Sequence, residues 1–431
     1  MTIQDLRIFA SRGYGNSVVR RTFLLLCLMG PAFAANLLLY YLAADLLAPE
    51  PFGLFYVAVT ISNVLYSGSF VLNLFFTRHL TFIVNTASAS AAFAARRPIQ
   101  RLVVRYGALA ALACILVLYG LGKKLGVQSW PIIILVVLDA YSAYVIDVYR
   151  AVLQSVRKTA YLGGLSLAWM LLRFLLGVGA MVFLGTAAGA LLGIVLASFI
   201  LIALLFLRFS AIDMKSTAVQ LPALPSLRAL VPVVLGYGSL IVISNMDVLL
   251  AYLLLRDTTL GAYSASSVLP KGILVVVTPL LQMLYPMMVW HDKAPANLRL
   301  IVQKSAGTIF LLSSAMALAV FGFSGLLCGG SWGLRLCQPL PLNYLLAATV
   351  MLSVLRALVL IQSARGRDWM AISLLVPAGA YLWIATVSSH SAETIASQFM
   401  VFAGLLLLYF GIASLLIDWC RSVGRMRKAR L

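Results

Sequence analysis

Apolar runs of about 20 residues recur along the whole chain, separated by short polar or charged breaks. A run of this length can cross a hydrocarbon core roughly 30 Å thick as an α-helix. Because lipid offers no hydrogen-bonding partner to backbone groups, such runs must be helical. Twelve runs lie at 22–46, 53–76, 103–122, 130–149, 159–184, 188–207, 229–255, 261–289, 305–327, 342–362, 370–388 and 397–418. The pattern predicts an all-α integral membrane protein with about twelve transmembrane helices.

The composition supports this prediction and narrows the range of partners. Of the 431 residues, 63% are hydrophobic and 10% are charged, and the mean hydropathy is +1.03. Soluble domains carry about 25% charged residues, so this chain cannot cover a water-exposed surface. The net charge of +20 does not indicate nucleic-acid binding, because the basic residues lie in short breaks between apolar runs. We expect membrane lipids as partners and no nucleic acid.

The distribution of lysine and arginine predicts the orientation. Alternate breaks place 25 of these residues on one side of the membrane and four on the other. Cytoplasmic loops carry the excess of basic residues, so both termini are predicted to be cytoplasmic. An even number of helices also requires the termini to share a side. The outer loops are short, which disfavours a large external catalytic domain.

The chain is predicted to divide into two helical halves. Arg20 and Arg21 followed by an Ala-Phe-Ala triplet at 32–34 imitate a signal peptide. The apolar run continues through Leu47, so we interpret it as an uncleaved first helix. The predicted divisions are a cytoplasmic tail (1–21), a six-helix bundle (22–208), a cytoplasmic linker (209–228), a second six-helix bundle (229–418) and a basic cytoplasmic tail (419–431).

A weak repeat relates the two halves. Asn36 in helix 1 precedes Gly53 by 17 residues, and Asn245 in helix 7 precedes Gly261 by 16 residues. Repeated halves around a central site are a common transporter architecture.

The segments around this repeat resemble a known family. They are Asn-Met-Asp at 245–247, a short turn at 256–257, Gly-Ala-Tyr-Ser-Ala at 261–265, Tyr-Pro at 285–286 and Pro-Glu-Pro-Phe-Gly-Leu-Phe at 49–55. Together they resemble the polysaccharide flippases of the multidrug/oligosaccharidyl-lipid/polysaccharide (MOP) exporter superfamily, in particular the Wzx-like O-antigen flippases.

The resemblance implies two six-helix bundles in an inverted V around a central cavity that opens alternately to the two sides. It implies that a polyprenyl-diphosphate-linked oligosaccharide moves from the cytoplasmic to the periplasmic leaflet for O-antigen or exopolysaccharide synthesis. A polymerase and a glycosyltransferase of the same pathway are the implied partners.

Four cations within or near predicted helices are candidates for binding the diphosphate and glycan. A charge at the centre of a membrane helix costs about 2.5–3.5 kcal/mol on insertion scales, so each such residue raises a functional hypothesis. The candidates are Lys271, Arg173, Arg78 and Arg356. The alternatives are anchoring at the membrane interface for Lys271 and Arg78, and structural ion pairing for Arg173 and Arg356.

Polar residues inside the helices add a second set of candidates. Asp247 and Asp139 can pair with the cations, or can titrate in coupling to an H+ or Na+ gradient. We predict that Asp147 pairs with nearby Arg150. Asn36 and Asn245 can face the cavity or join helices to one another.

No sequence pattern indicates enzymatic chemistry or a bound cofactor. The chain lacks a P-loop, a His/Cys metal cluster and a nucleophile elbow, so we expect neither an enzyme nor a metal site. Cys328 and Cys337 can share an outer loop, and we expect two unpaired thiols rather than a disulfide. Two other functions stay open. An ion-coupled drug or metabolite exporter would favour an acidic cavity, and a membrane glycosyltransferase would place paired acids in a sizeable loop.

Overall fold

Helices account for almost all of the chain in the computed structural model. It describes residues 14–86, 88–125, 129–156, 158–213, 227–255, 257–291, 295–328, 337–365, 367–388 and 391–430, and these contain no strand. Within these ranges, nine helices are long and apolar enough to cross a membrane. The predicted all-α membrane fold is confirmed.

Six helices lie in the described residues of the first half of the chain. They are α1 (Tyr14–Leu46), α2 (Pro49–Thr86), α3 (Ala89–Leu125), α4 (Trp130–Ser155), α5 (Thr159–Leu184) and α6 (Ala187–Asp213).

The part of the second half that the structure describes contains nine helices, two of them very short. They are α7 (Leu227–Ile243), α8 (Met246–Leu254), α9 (Asp257–His291), α10 (Pro295–Gly322), α11 (Ser324–Leu327), α12 (Pro339–Ala364), α13 (Asp368–Ile372), α14 (Leu375–Ser388) and α15 (Ala392–Arg430). The pair α7 and α8 covers the seventh predicted run, and α13 with α14 covers the eleventh. Every predicted run therefore corresponds to a helix or to a helix with one interruption.

Several helices extend well beyond the predicted runs. The break at 77–102 between the second and third predicted runs contains the end of α2 and the beginning of α3. The helix α15 likewise continues to Arg430 rather than ending near residue 418. Hydropathy marks only the portion of a helix inside the hydrocarbon, whereas helical hydrogen bonds are local and continue into water.

The chain forms two compact units. Unit 1 comprises Met1–Leu42 and Leu72–Pro225, and unit 2 comprises Ala43–Val71 and Ser226–Leu431. The helix α2 contributes to both units, since its first half belongs to unit 2. The bundle boundary at 209–228 stays a prediction from the sequence.

In unit 1, α5 and α6 approach each other very closely. The approach occurs at Gly193 of α6, where an added Cβ would lie 2.6 Å from the carbonyl carbon of Leu176 and 2.8 Å from Cα of Gly177. Small residues at helix interfaces permit such backbone contacts inside a membrane. A second core lies where α2, α3 and α4 meet, and includes Leu80 and Ile99.

In unit 2, the first half of α2 packs against α9. Gly261 lies against the backbone carbonyl group of Pro49, so that a Cβ at Gly261 would clash with it. About two helical turns further along, the Ser267 hydroxyl donates a hydrogen bond of 3.0 Å to the Tyr56 hydroxyl oxygen. Beyond this contact, α9 packs on α12, and α12 packs on α15.

The expectation of two unpaired thiols in the Cys328–Cys337 segment was wrong. The two sulfur atoms form a disulfide, with the Cα atoms 4.8 Å apart. The sequence separation of nine residues left the pairing open, because the approach depends on where the helices end. The chain leaves the short α11 at Cys328 and enters α12 just after Cys337, and the Gln338 backbone N–H donates to the Ser266 hydroxyl at 2.8 Å.

Removal of this disulfide is expected to destabilise unit 2. Substituting both Cys328 and Cys337 by serine should lower the free energy of unfolding by about 2–3 kcal/mol, because a short cross-linked loop restricts the unfolded chain. Thermal unfolding of the purified protein would measure the loss as a lower Tm. Cys114→Ser is the control, since Cys114 is a free cysteine and its replacement should leave Tm nearly unchanged. Equal Tm values for the double variant and the control would contradict the stabilising role.

Candidate functional site

An interruption in the seventh transmembrane segment creates a polar site inside unit 2. The helix α7 ends at Ile243, and α8 begins at Met246. The Asn245 amide nitrogen donates to the Ile241 carbonyl oxygen at 2.9 Å, which satisfies one of the carbonyl groups that the helix end leaves without a helical partner. The amide oxygen of Asn245 consequently points away from α7.

Lys271 of α9 reaches this interruption. Its Nζ lies 3.0 Å from Oδ1 of Asp247 and 3.4 Å from Oδ1 of Asn245. The Asp247 side chain is completely buried, whereas 14% of the Lys271 side chain is exposed. The second oxygen of Asp247 accepts a hydrogen bond of 3.4 Å from the Tyr263 hydroxyl. The structure thus pairs Asp247 with Lys271, which was one of the two roles left open for this aspartate.

A small cavity lies beside this ion pair. Its volume is about 10 Å³, enough for roughly one water molecule. Its lining combines polar and apolar side chains: Ser244, Asp247, Ser267, Pro270, Lys271, Leu274, Leu345, Thr349, Leu352 and Phe399. Pro270 does not interrupt the eighth segment, since α9 is one continuous helix. The break lies in the seventh segment instead.

A second cation lies close to this site. Arg356 of α12 donates a hydrogen bond of 3.4 Å from Nη1 to the Thr278 hydroxyl of α9, and its charge acts on Lys271. Arg356 is half-buried. Among the described side chains of this cluster, Lys271 and Arg356 carry two positive charges and Asp247 carries one negative charge. This region of unit 2 therefore has an electrostatic preference for an anion.

Unit 1 contains a second buried ion pair. Arg173 of α5 donates from Nη2 to Oδ2 of Asp139 in α4 at 3.2 Å, and about nine-tenths or more of each side chain is buried. The Tyr40 side chain lies within electrostatic range of both charges and is hydrogen-bonded to Asn36. The structure therefore places three of the predicted residues, Asn36, Asp139 and Arg173, in one region of unit 1.

A third pair follows nearer the end of α4. Arg150 lies 3.1 Å from Asp147 and also donates to the Ser166 hydroxyl of α5 at 3.2 Å, so the predicted Asp147–Arg150 pair is confirmed. The Trp169 ring lies between the two arginines, with guanidinium-to-centroid distances of 5.9 Å for Arg150 and 5.4 Å for Arg173. A cation near an aromatic face gains electrostatic stabilisation.

Two features of the predicted site differ from the structure or lie outside its description. Position 78 belongs to α2, but the side chain of Arg78 lies outside the described residues. Trp169 contacts two of the charged residues of unit 1 without having been a candidate. Its position gave a usable signal, since Trp169 lies four residues before Arg173 on the same face of a helix. The substrate-binding and coupling roles of the candidates stay predictions.

The described acids of the membrane interior share one property. Asp139, Asp147 and Asp247 are all buried, and each has a cationic nitrogen within 3.2 Å. An isolated carboxylate in this environment would attract a cation or a proton, because an uncompensated buried charge is very costly. Arg173, Arg150 and Lys271 already neutralise these carboxylates, so the carboxylates are not available to bind a cationic cargo.

Comparison with known proteins identifies this architecture. No protein-family profile and no curated protein sequence matches the chain. A Vibrio cholerae MATE transporter, VcmN in its bent form, has a TM-score of 0.64 at 17% identity, covering 92% of this chain and 97% of that one. A eukaryotic MATE transporter, AtDTX14, has a TM-score of 0.64 at 13% identity, covering 96% and 100% of the two chains.

An archaeal structure adds a third similarity. A MOP superfamily transporter from Pyrococcus furiosus has a TM-score of 0.61 at 13% identity, covering 92% of this chain and 95% of that one. At such low identities the similarity shows the fold and does not show the substrate. Over nearly its whole length, the chain has the fold of the MATE transporters of the MOP superfamily.

Proposed function

We propose that this protein is a flippase that moves a polyprenyl-diphosphate-linked oligosaccharide from the cytoplasmic to the periplasmic leaflet of the inner membrane for surface polysaccharide synthesis. The observation that carries the proposal is the net positive charge of the cluster that Lys271, Arg356 and Asp247 form in unit 2. Among the described side chains of this cluster, Lys271 and Arg356 outnumber the acid Asp247, and Lys271 is partly accessible whereas Asp247 is not. An anionic headgroup would be stabilised by these cations, and an organic cation would be repelled.

The pairing of the buried carboxylates with basic side chains also favours an anionic cargo. Each of the three aspartates that are buried among the described side chains has its own base within 3.2 Å. A carrier of organic cations would need a carboxylate that is left open for its cargo. The positive-inside distribution of lysine and arginine supports cytoplasmic termini. The direction of transport in the proposal comes from the resemblance to the polysaccharide flippases.

An ion-coupled drug or metabolite exporter is the second candidate. The observation that favours it is the fold, because several solved structures of this architecture are MATE transporters, including the multidrug resistance type. For the Pyrococcus furiosus transporter, a reverse polarity of the binding pocket suggests a different function. By the same reasoning, the cationic cluster in this chain favours an anionic cargo over a cationic drug.

Depletion of the protein in its native cell separates the two candidates. The flippase predicts that lipid-linked glycan accumulates in the cytoplasmic leaflet and that surface polysaccharide is lost. The leaflet distribution can be measured by the access of a glycan-binding probe in spheroplasts and in inverted vesicles. Intact surface polysaccharide combined with increased sensitivity to cationic toxins would favour the exporter and contradict the flippase.

A substitution at Arg356 tests the cationic cluster itself. Arg356→Gln should reduce the rate of flipping roughly tenfold or more, because a hydrogen bond to a charged group contributes about 1.5–3 kcal/mol. The rate can be measured with a labelled polyprenyl-diphosphate oligosaccharide in liposomes that contain the purified protein. Arg365→Gln is the matched control, since Arg365 lies at the end of the same helix, nine residues away from Arg356. Equal rates for the two variants would remove Arg356 from the binding site.

A further inference from the structure

The interruption between α7 and α8 has the chemical character of a cation site. The α7 helix ends there, and the C-terminal end of a helix carries a partial negative charge. Asp247 and Asn245 add two side-chain oxygens, and the hydroxyl groups of Ser244 and Thr349 line the adjoining cavity. Interrupted membrane helices coordinate monovalent ions or protons in this manner, through helix ends and nearby carboxylates.

The position where a cation would be expected is occupied by the chain itself. Lys271 Nζ lies 3.0 Å from an Asp247 oxygen and 3.4 Å from an Asn245 oxygen. We propose that this interruption is a monovalent-cation site whose permanent occupant is the Lys271 ammonium group. Unit 2 then needs no Na+ or K+ from the medium at this position. The proposal does not depend on which cargo the protein transports.

The burial of the two partners explains why the occupant stays in place. The Asp247 side chain is completely buried, so the loss of its counter-charge would leave an uncompensated carboxylate in a dry environment. An ammonium is a compact single charge with three donors, which suits a cluster of oxygens. Because Lys271 is tethered by its own helix, it is always present at the site, whereas a dissolved ion must be drawn from the solution.

The groups around the carboxylate provide no other fixed cation at contact distance among the described residues. The α9 helix contributes the Tyr263 hydroxyl and Lys271, and α14 contributes Tyr381, which lies within electrostatic range of Asp247. The α15 helix contributes the apolar Phe399 to the cavity, and α12 contributes Thr349 and, further away, Arg356. Removal of the ammonium would therefore leave an anionic pocket lined by polar and apolar side chains, with space of about one water molecule beside the Asp247 carboxylate.

The experiment replaces the ammonium and asks whether a dissolved ion takes its place. Purified full-length protein would be unfolded thermally in NaCl, KCl or N-methyl-D-glucamine chloride at equal ionic strength. Wild-type Tm should be the same in all three salts. Lys271→Met should have a lower Tm in the bulky organic cation and recover several degrees in Na+ or K+, because an ion that binds only the folded state stabilises it.

Two further variants identify the site. The double substitution of Lys271 by methionine and Asp247 by asparagine should show no difference between the salts, because the carboxylate is gone. Arg356→Met is the matched control, because it also removes a cation but leaves the Asp247–Lys271 pair in place, and it too should show no difference. If Lys271→Met does not fold, Lys271→Gln provides the same test with a polar side chain.

Two outcomes would overturn the proposal. The first is a wild-type protein that Na+ or K+ stabilises in an Asp247-dependent manner, since the site would then accept an external ion. The second is a folded Lys271 variant that no alkali cation stabilises, including one stabilised by acid alone, where a proton has neutralised Asp247. Neither outcome bears on the flippase proposal, because no cargo takes part in the measurement. Loss of flipping activity would likewise leave this proposal unaffected.

Discussion

Substitution of Arg173 by methionine is expected to lower the free energy of unfolding by about 3–5 kcal/mol, the usual cost of breaking a buried ion pair. Arg173 and Asp139 lie 3.2 Å apart, and both side chains are nearly inaccessible to solvent. Methionine fills much of the arginine volume, so the main loss is electrostatic. Asp139 would remain as a buried carboxylate without its counter-ion. The expected result is a strongly reduced Tm.

The double variant with Asp139→Leu and Arg173→Met should recover most of this loss. Replacing both partners of a buried pair by apolar residues is often neutral or stabilising, because neither charge must then be desolvated. Thermal unfolding and SDS-induced unfolding would measure both variants. Arg105→Met is the control, since Arg105 is exposed and its loss should have little effect. A double variant less stable than the single one would show that the two charges do not mainly stabilise each other.

Gly193→Leu is expected to lower the free energy of unfolding by more than about 3 kcal/mol. Excess volume in a well-packed core costs about 1–3 kcal/mol and occasionally more. Here even one methyl group would overlap the backbone of α5 at Leu176 and Gly177. Because backbone atoms cannot change rotamer, α5 and α6 would have to separate. The protein should show a low Tm and reduced expression.

Gly179→Ala provides the comparison for the Gly193 variant. Gly179 lies in α5, and no heavy atom outside its own helix lies within 4 Å of an added Cβ. Alanine is favoured over glycine in helices by about 0.5–1 kcal/mol, so this variant should be neutral or slightly more stable. Similar Tm values for Gly193→Leu and wild type would show that α5 and α6 can move apart at little cost.

The sequence predicts the helical segments well because the membrane imposes a simple constraint. Residues 159–184 were predicted as a span, and α5 occupies the same residues. In contrast, the beginning of α3 and the end of α15 extend beyond their predicted runs, since no hydropathy change marks a helix that continues into water. The interruption at residues 244–245 was missed because no proline or glycine marks it. Pro270 did not break α9, since a proline removes only one helical hydrogen bond.

The charged residues could be identified from the sequence, but the pairs that cross between helices could not be assigned. Arg173, Asp139, Lys271 and Asp247 are conspicuous because a charge in lipid is costly. Which acid neutralises which base depends on the rotation and packing of different helices, as for Lys271 of α9 and Asp247 of α8. The Asp147–Arg150 pair was predictable because both residues belong to one turn of α4.

Whether Cys328 and Cys337 form their disulfide depends on the orientation of the chain in the membrane. Disulfides persist in the periplasm and are rare in the reducing cytosol. The bonded cysteines lie at the ends of α11 and α12 that the distribution of basic residues assigns to the outer side. A molecule inserted in the opposite orientation would keep both thiols reduced. The presence of the disulfide would thus show that these ends of α11 and α12 have faced the oxidising compartment.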